Sequence, residues 1–152
     1  LADQWLGNAG FGWYEVSNWA TSAAAQCRHN LLYWTGGDWW GAGPGAHSHV
    51  GGTRWWNVKH PAAYTQRLAA GQSPAHAREI LDPQARRLER ILLGVRLAVG
   101  HPLDDLGEAG WAAAERAVGS GLLTENGHRA GRAVLTQRGR LLADAVVREL
   151  TD

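Results

Sequence analysis

From residue 82 onward the chain carries a clear apolar rhythm. Leu88, Ile91, Leu92 and Val95 recur at helical spacing behind Asp82 as N-cap and Pro83 at the first helical position, until Gly100 and Pro102 stop the run. This predicts a helix of about five turns. A shorter helix is expected around Trp111 to Val118, closed by Gly119 and Gly121. Gly121-Leu122-Leu123-Thr124 and Arg132-Ala133-Val134-Leu135 then read as two short strands around Glu125-Asn126-Gly127, because Asn-Gly tolerates the positive φ angles of a turn. Thr136 caps a final helix with Leu141, Leu142, Ala145, Val146 and Leu150 on one face. Helix, helix, hairpin, helix is the order of a winged-helix-like domain.

The earlier residues are less regular. A helix ends at Trp5 and Leu6, Gly10 and Gly12 break it, and Trp13 to Ser17 reads as a short strand. Cys27 to Trp34 forms a compact polar and aromatic block. Gly36 to Gly52 holds 7 glycines in 17 residues, so this segment needs an organising partner, either a core or a ligand. Pro61 to Ala70 is an expected helix, with Pro61 at its first position and Gly71 just past its end.

Composition divides the chain near residue 75. Residues 1–75 hold 7 charged side chains and residues 76–152 hold 22, whereas 12 of the 13 aromatics lie between Trp5 and Tyr64. Such a shift marks a boundary between structural units. The expected organisation is 1–71, a linker over 72–81, and a second domain over 82–152.

Charge and cysteine content exclude several classes. At a formal net charge of +1 the chain has no bulk attraction for nucleic acid. A single cysteine, Cys27, cannot make an internal disulfide or supply the thiolates of an iron–sulfur cluster or a cysteine-rich zinc site. No apolar run approaches the ~20 residues of a membrane helix, and the start lacks the pattern of a signal peptide, so a cytoplasmic protein is expected. Leu1 opens a sequence of 152 residues that contains no Met, and a piece of a longer protein is expected on that ground.

Three constellations are candidates for chemistry. His29-Asn30-Leu31-Leu32-Tyr33-Trp34, with His47 and His49 further on, offers imidazole for iron or zinc and aromatic faces for a flat macrocycle. The alternative is a buried histidine satisfied by backbone hydrogen bonds in an aromatic core, and residue types alone favour it. A zinc site from Cys27, His29, His47 and His49 matches no recurrent ligand spacing. Gly41-Ala42-Gly43-Pro44-Gly45-Ala46 satisfies a dinucleotide-binding string, but Pro44 removes a donor and no helical pattern follows. The segment reads instead as a turn where backbones approach closely. Arg129, Arg132, Arg138 and Arg140 crowd the expected hairpin, yet residues 76–152 carry 11 basic and 11 acidic side chains, which disfavours a phosphate-binding face.

In order along the chain, Gly12-Trp13-Tyr14-Glu15-Val16-Ser17-Asn18-Trp19-Ala20, Cys27-Arg28-His29-Asn30-Leu31-Leu32-Tyr33-Trp34, Gly41 to Ser48 and Arg54-Trp55-Trp56-Asn57 resemble one family. It is the group of radical S-adenosylmethionine proteins similar to oxygen-independent coproporphyrinogen III oxidase, and within it the HemW-type heme chaperones. Glu89, Leu93-Gly94-Val95-Arg96, Leu135-Thr136-Gln137-Arg138-Gly139 and Leu141-Leu142-Ala143-Asp144 resemble its C-terminal domain, so the resemblance covers nearly the whole chain.

The resemblance implies an α+β chain: the C-terminal end of a partial (β/α) radical SAM barrel over 1–71, followed by the winged-helix-like, mainly helical domain. It implies a parent whose CxxxCxxC motif binds a [4Fe-4S] cluster and S-adenosylmethionine. That motif is absent from this sequence, so the chain alone is expected to be catalytically inert. The H-N-x-x-Y-W string marks the chaperone-like members and is associated there with heme. It falls on His29, Asn30, Tyr33 and Trp34, which makes His29 the implied iron ligand and Tyr33 and Trp34 the implied packing partners of the macrocycle. The implied partners are heme or a porphyrin and heme-acceptor proteins. Oxidative decarboxylation of coproporphyrinogen III and a winged-helix nucleic-acid module are the alternative functions. Eight of the nine tryptophans lie in the first 56 residues, where core and porphyrin-facing roles are expected of them together.

Overall fold

A computed structural model describes residues Leu1–Asp152. In chain order the elements begin with α1 (Ala2–Asn8), β1 (Gly12–Glu15), β2 (Asn18–Ala20), α2 (Arg28–Trp34), β3 (His47–Val50), β4 (Thr53–Asn57), α3 (Pro61–Ala69) and β5 (Ala75–Ile80). They continue with α4 (Pro83–Gly94), β6 (His101–Pro102), α5 (Gly107–Gly119), α6 (Glu125–Arg129), β7 (Arg132–Ala133), α7 (Gln137–Leu141) and α8 (Ala143–Thr151). The architecture is α+β.

Contacts divide the chain differently from composition. One compact unit joins Leu1–Thr35 to Arg87–Asp152, and the other is Gly36–Arg86. Residues far apart in sequence meet in the first unit through backbone pairing: Glu15 bridges Leu97, the Val16 N–H donates to the Arg96 carbonyl at 3.3 Å, and the Ala98 N–H donates to the Tyr14 carbonyl at 2.9 Å. Residues 75–80, within the expected linker, instead form β5 and pair antiparallel with β4.

The core of the first unit is aliphatic. Ile91, Val95, Leu103, Leu123, Leu135, Val146 and Leu150 are buried together with Ala113, Ala114 and Ala117 of α5. Small residues let α5 and α8 approach closely: a Cβ on Gly110 would lie 2.6 Å from the Leu150 carbonyl oxygen. No tryptophan belongs to the buried core, and Trp5 and Trp40 are among the exposed apolar residues. The expectation of a tryptophan core is thereby corrected. An indole is large enough that a small unit seldom covers it whole.

Three expected elements differ from what forms. α4 is 12 residues long and stops at Gly94, about three turns. A Cβ there would lie 2.5 Å from Nδ1 of His101, and the chain turns at Gly100 (φ +66°) to bring that ring in. Val95 and Leu97 stay buried from non-helical positions, which is why the apolar rhythm outruns the helix. The expected hairpin at 121–135 is reduced to one bridge, Leu123 to Leu135. Thr124 caps α6 instead, its Oγ1 accepting from the Gly127 N–H at 3.2 Å, so Asn126-Gly127 lies inside a helical turn. The final helix is broken at Leu142, giving α7 and α8. Val146, Val147 and Leu150 are buried, whereas Leu141 is 83% exposed.

The second unit is a three-stranded antiparallel sheet in the order β3-β4-β5, with α3 and the glycine-rich segment 36–46 beside it. Its register sets Ser48 opposite Trp55 and Trp55 opposite Arg78, so these three share one face. His47, His49, Arg54 and Trp56 lie on the other.

Candidate functional site

The H-N-x-x-Y-W string forms α2, a helix of seven residues whose N-cap, Cys27, makes no side-chain cap. So short a helix needs tertiary support, and the β1–β2 hairpin supplies it. The Cys27 N–H donates to the Tyr14 hydroxyl oxygen at 3.2 Å. Glu15, only 1% exposed, accepts through Oε1 from the amides of Asn18 at 2.6 Å and Asn30 at 3.2 Å. A buried carboxylate between two amide donors is a strong and directional anchor. It fixes the rotation of α2 about its axis, and with it the direction of His29 and Tyr33.

His29 is exposed, and its ring meets that of Tyr33 edge-on at 4.7 Å and 78°. Imidazole and phenol lie one turn apart on the same helical face. Glu15, Asn18, Asn30, Tyr33 and Trp34 border a shallow cleft of about 320 Å³. The string therefore divides by role: Asn30 faces the hairpin, Tyr33 and Trp34 border open space, and His29 points to solvent.

The hairpin turn carries an unusual backbone. Val16 has φ +28°, a region β-branched residues avoid. Its carbonyl accepts from Trp13 Nε1 at 3.0 Å. Arg140 lies over the Trp13 ring, 4.4 Å from its centroid, and pairs with Asp3 at 2.6 Å, while Trp19 Nε1 donates to Asp3 at 3.1 Å. The Arg140 hydrogen bond holds the Asp3 carboxyl below its ordinary value.

The glycine-rich segment is organised by its own unit. The Gly41 N–H donates to Ser48 Oγ at 2.9 Å, Asn57 Nδ2 donates to the Gly41 and Gly43 carbonyls at 3.3 and 3.0 Å, and the Gly43 N–H donates to the Tyr64 hydroxyl oxygen at 3.2 Å. Ser48 and Asn57 are buried beneath it. The close backbone approach expected here is present, since a Cβ on Gly41 would lie 2.0 Å from the His47 carbonyl oxygen. β3 rather than a helix follows, so no helix N-terminus is offered to a dinucleotide.

The remaining candidates are engaged within the chain. His47 stacks on Trp56 at 5.8 Å, and His49 packs against Trp39 at 5.0 Å with Nδ1 3.3 Å from the Gly37 carbonyl. No three His, Cys, Asp or Glu side chains converge as a metal site. Arg129 pairs with Glu125, Arg132 donates to the Gly100 carbonyl, Arg138 to the Ser120 carbonyl, and Arg140 is held by Asp3. These arginines are committed to fold contacts rather than arrayed for phosphates.

Sequence reasoning missed Tyr14, Glu15 and Asn18 as supports of α2. A signal for Glu15 existed: it is the one carboxylate between Asp3 and Asp38, in an aromatic stretch. His101 was missed as well. It is buried, with Nε2 3.3 Å from Asp105 Oδ2, and burial lowers its pKa against the raising effect of Asp105.

No family model matches the chain. It is 55% identical over 150 residues to the heme chaperone HemW of Mycobacterium tuberculosis, covering 99% of this chain and 37% of that protein. It is 33% identical over 138 residues to the heme chaperone HemW of Bacillus subtilis, covering 88% of this chain and 36% of that one. In fold it is similar to the radical SAM enzyme coproporphyrinogen III oxidase (HemN) of Escherichia coli, with a TM-score of 0.64 at 12% identity, covering 98% of this chain and 39% of that one. Identity at this level along almost the whole chain shows that it belongs to the family of the HemW heme chaperones, of whose length it spans somewhat over a third.

Proposed function

We propose that this chain is part of a protein that binds heme and passes it to acceptor proteins, with His29 as the iron ligand and Tyr33 and Trp34 against the macrocycle. The observation that carries the reading is the exposed His29 ring, oriented by Tyr33 on a helix that Glu15 anchors through Asn30. The residues fit the group. The His29 ring nitrogens make no hydrogen bond within the chain, so one is free to act as a donor to iron, and aromatic side chains flank the helix face. Heme would supply the iron position that this imidazole fills. Asn30 acts by positioning α2. An exposed site suits delivery, because a cargo that must leave gains little from deep enclosure.

The chain does not fit a [4Fe-4S] cluster, having one exposed cysteine and no converging ligand set. We assign the cluster and S-adenosylmethionine to other residues of the parent. On the same reading β1 belongs to the end of a partial barrel, and α4, α5 and α8 with the Leu123–Leu135 bridge form the winged-helix-like part. A second reading, oxidative decarboxylation of coproporphyrinogen III by the parent, draws on the likeness in fold to the oxidase. Formation of protoporphyrinogen by the reconstituted parent would favour it.

The test is a hemin titration of the chain and of its parent, each with and without His29→Ala. A Soret band that shifts on binding, and that His29→Ala removes or moves, is expected. An unchanged spectrum and affinity in the variant overturns the His29 assignment.

A further inference from the structure

The unit Gly36–Arg86 contains a cleft of about 600 Å³ that the heme site does not use. Its walls are aromatic. Trp40 is 76% exposed yet stands edge-on to Trp55, with ring centroids 4.8 Å apart at 75°. The loop that presents Trp40 is tied down at Gly41 and Gly43 by Ser48, Asn57 and Tyr64, so this exposed indole is held before any ligand arrives. A pre-formed aromatic wall lowers the ordering cost of binding.

The charge on this face is one-sided. Arg78 lies directly across β4–β5 from Trp55 and so projects from the same face, while His76 sits at the bulge where the pairing shifts register between Ala77 and Ala75. Both line the cleft, and no carboxylate does. Arg78 forms no ion pair, in contrast to Arg54 on the opposite face, which pairs with Glu79 at 3.1 Å. An unpaired guanidinium beside two indoles and a phenol suits a ligand with a flat apolar body and an anionic edge.

We propose that this cleft is a second binding site, for a planar aromatic carboxylate, with Trp40 and Trp55 as the apolar wall and Arg78 as the carboxylate anchor. That the carboxylate is a tetrapyrrole rests on the heme reading above; the site itself does not. It needs no iron ligand, which separates it from His29.

The experiment uses metal-free protoporphyrin IX, a planar dicarboxylate without iron for His29 to bind, titrated into the full chain with tryptophan fluorescence and porphyrin absorbance as readouts. Trp40→Ala and Arg78→Ala are each expected to weaken binding about tenfold and Arg78→Lys less, whereas Trp5→Ala, an exposed indole outside the cleft, should leave it unchanged. Trp40 and Arg78 are both exposed, so the variants keep the fold, and circular dichroism checks this. Absence of protoporphyrin binding to the unaltered chain overturns the proposal. So does binding that His29→Ala abolishes while Trp40→Ala and Arg78→Ala leave it unchanged. The hemin titration of His29→Ala reports on the first site separately, so either assignment can fail alone.

Discussion

Glu15 and Asn30 meet at 3.2 Å, a buried carboxylate on β1 accepting from the amide of the residue beside His29. The contact joins the hairpin to α2, and the same Oε1 also accepts from Asn18 at 2.6 Å. Glu15→Ala therefore leaves two amides without their acceptor and opens a void. A loss of roughly 2–4 kcal/mol is expected by urea denaturation, and Glu15→Gln, which keeps an acceptor oxygen and the volume, should lose less. Asn30→Ala should weaken hemin binding while leaving His29 itself intact, because α2 loses its rotational anchor. Unchanged hemin affinity in both Asn30→Ala and Glu15→Ala would show that α2 is oriented by something else.

Val16 occupies a left-handed backbone conformation at φ +28° in the turn between β1 and β2. A β-branched side chain is strained there by about 1–3 kcal/mol, and glycine is not. Val16 is 44% exposed, so little burial is lost on removing it. Glycine costs unfolded-chain entropy of roughly 0.5–1 kcal/mol against the relief. Val16→Gly should therefore raise stability by about 1 kcal/mol, read as a higher urea midpoint at unchanged slope. A lowered midpoint would mean that the valine side chain contributes packing that outweighs its strain.

Acid should destabilise the chain in two stages. Burial makes the folded state favour neutral His101, so its pKa is lower folded than unfolded. The unfolded state then binds more protons below the ordinary imidazole value of 6.5, and stability is full above that value and falls as pH drops beneath it. Asp3, lowered from 3.8 by Arg140, contributes stability that is full above 3.8 and lost as pH falls through its folded value. Urea midpoints measured between pH 8 and pH 5 should decline in the unaltered chain and be flatter in His101→Gln. Asp3→Asn should leave that upper stage in place and remove part of the lower one.

Local signals in the sequence located helices well and tertiary partners poorly. Pro61 and Gly71 bracket α3, and Pro83 opens α4, because both residues act through their own backbone. Thr124 and Thr136 are both side-chain caps, but only Thr136 reads as one from the sequence, because Gly121-Leu122-Leu123-Thr124 looks like a strand, whereas Leu122 and Leu123 are two adjacent buried residues of which only Leu123 makes a bridge. The compositional boundary near residue 75 could not show that residues 1–35 pack with 87–152, since that association runs through backbone bonds such as Ala98 to Tyr14, which leave no trace in residue type. The same holds at the candidate site. The string from His29 to Trp34 was readable, while its dependence on Glu15 is a relation between distant residues that only the fold brings together.

Gly41 is the position where the second unit is most sensitive to a single methyl group. A Cβ there would lie 2.0 Å from the His47 carbonyl oxygen and 2.8 Å from its carbon, both backbone atoms at the start of β3 that cannot swing aside as a side-chain tip can. Gly41→Ala must push the 41–46 segment away from the strand. That movement strains the Gly41 N–H bond to Ser48 Oγ and the bonds from Asn57 Nδ2, leaving polar groups buried at Ser48 and Asn57 with poorer partners. Overpacking and weakened hydrogen bonds together predict a loss of about 2–4 kcal/mol. The effect should be confined to Gly36–Arg86: faster amide exchange in β3 and β4, a more quenchable Trp40, and unaltered protection in α5 and α8. Gly43→Ala is the control, because nothing lies within 4 Å of a Cβ there although its φ of +106° adds backbone strain. If Gly41→Ala costs no more than Gly43→Ala, the close approach at His47 does not limit the loop, and the pre-formed placement of Trp40 must come from elsewhere.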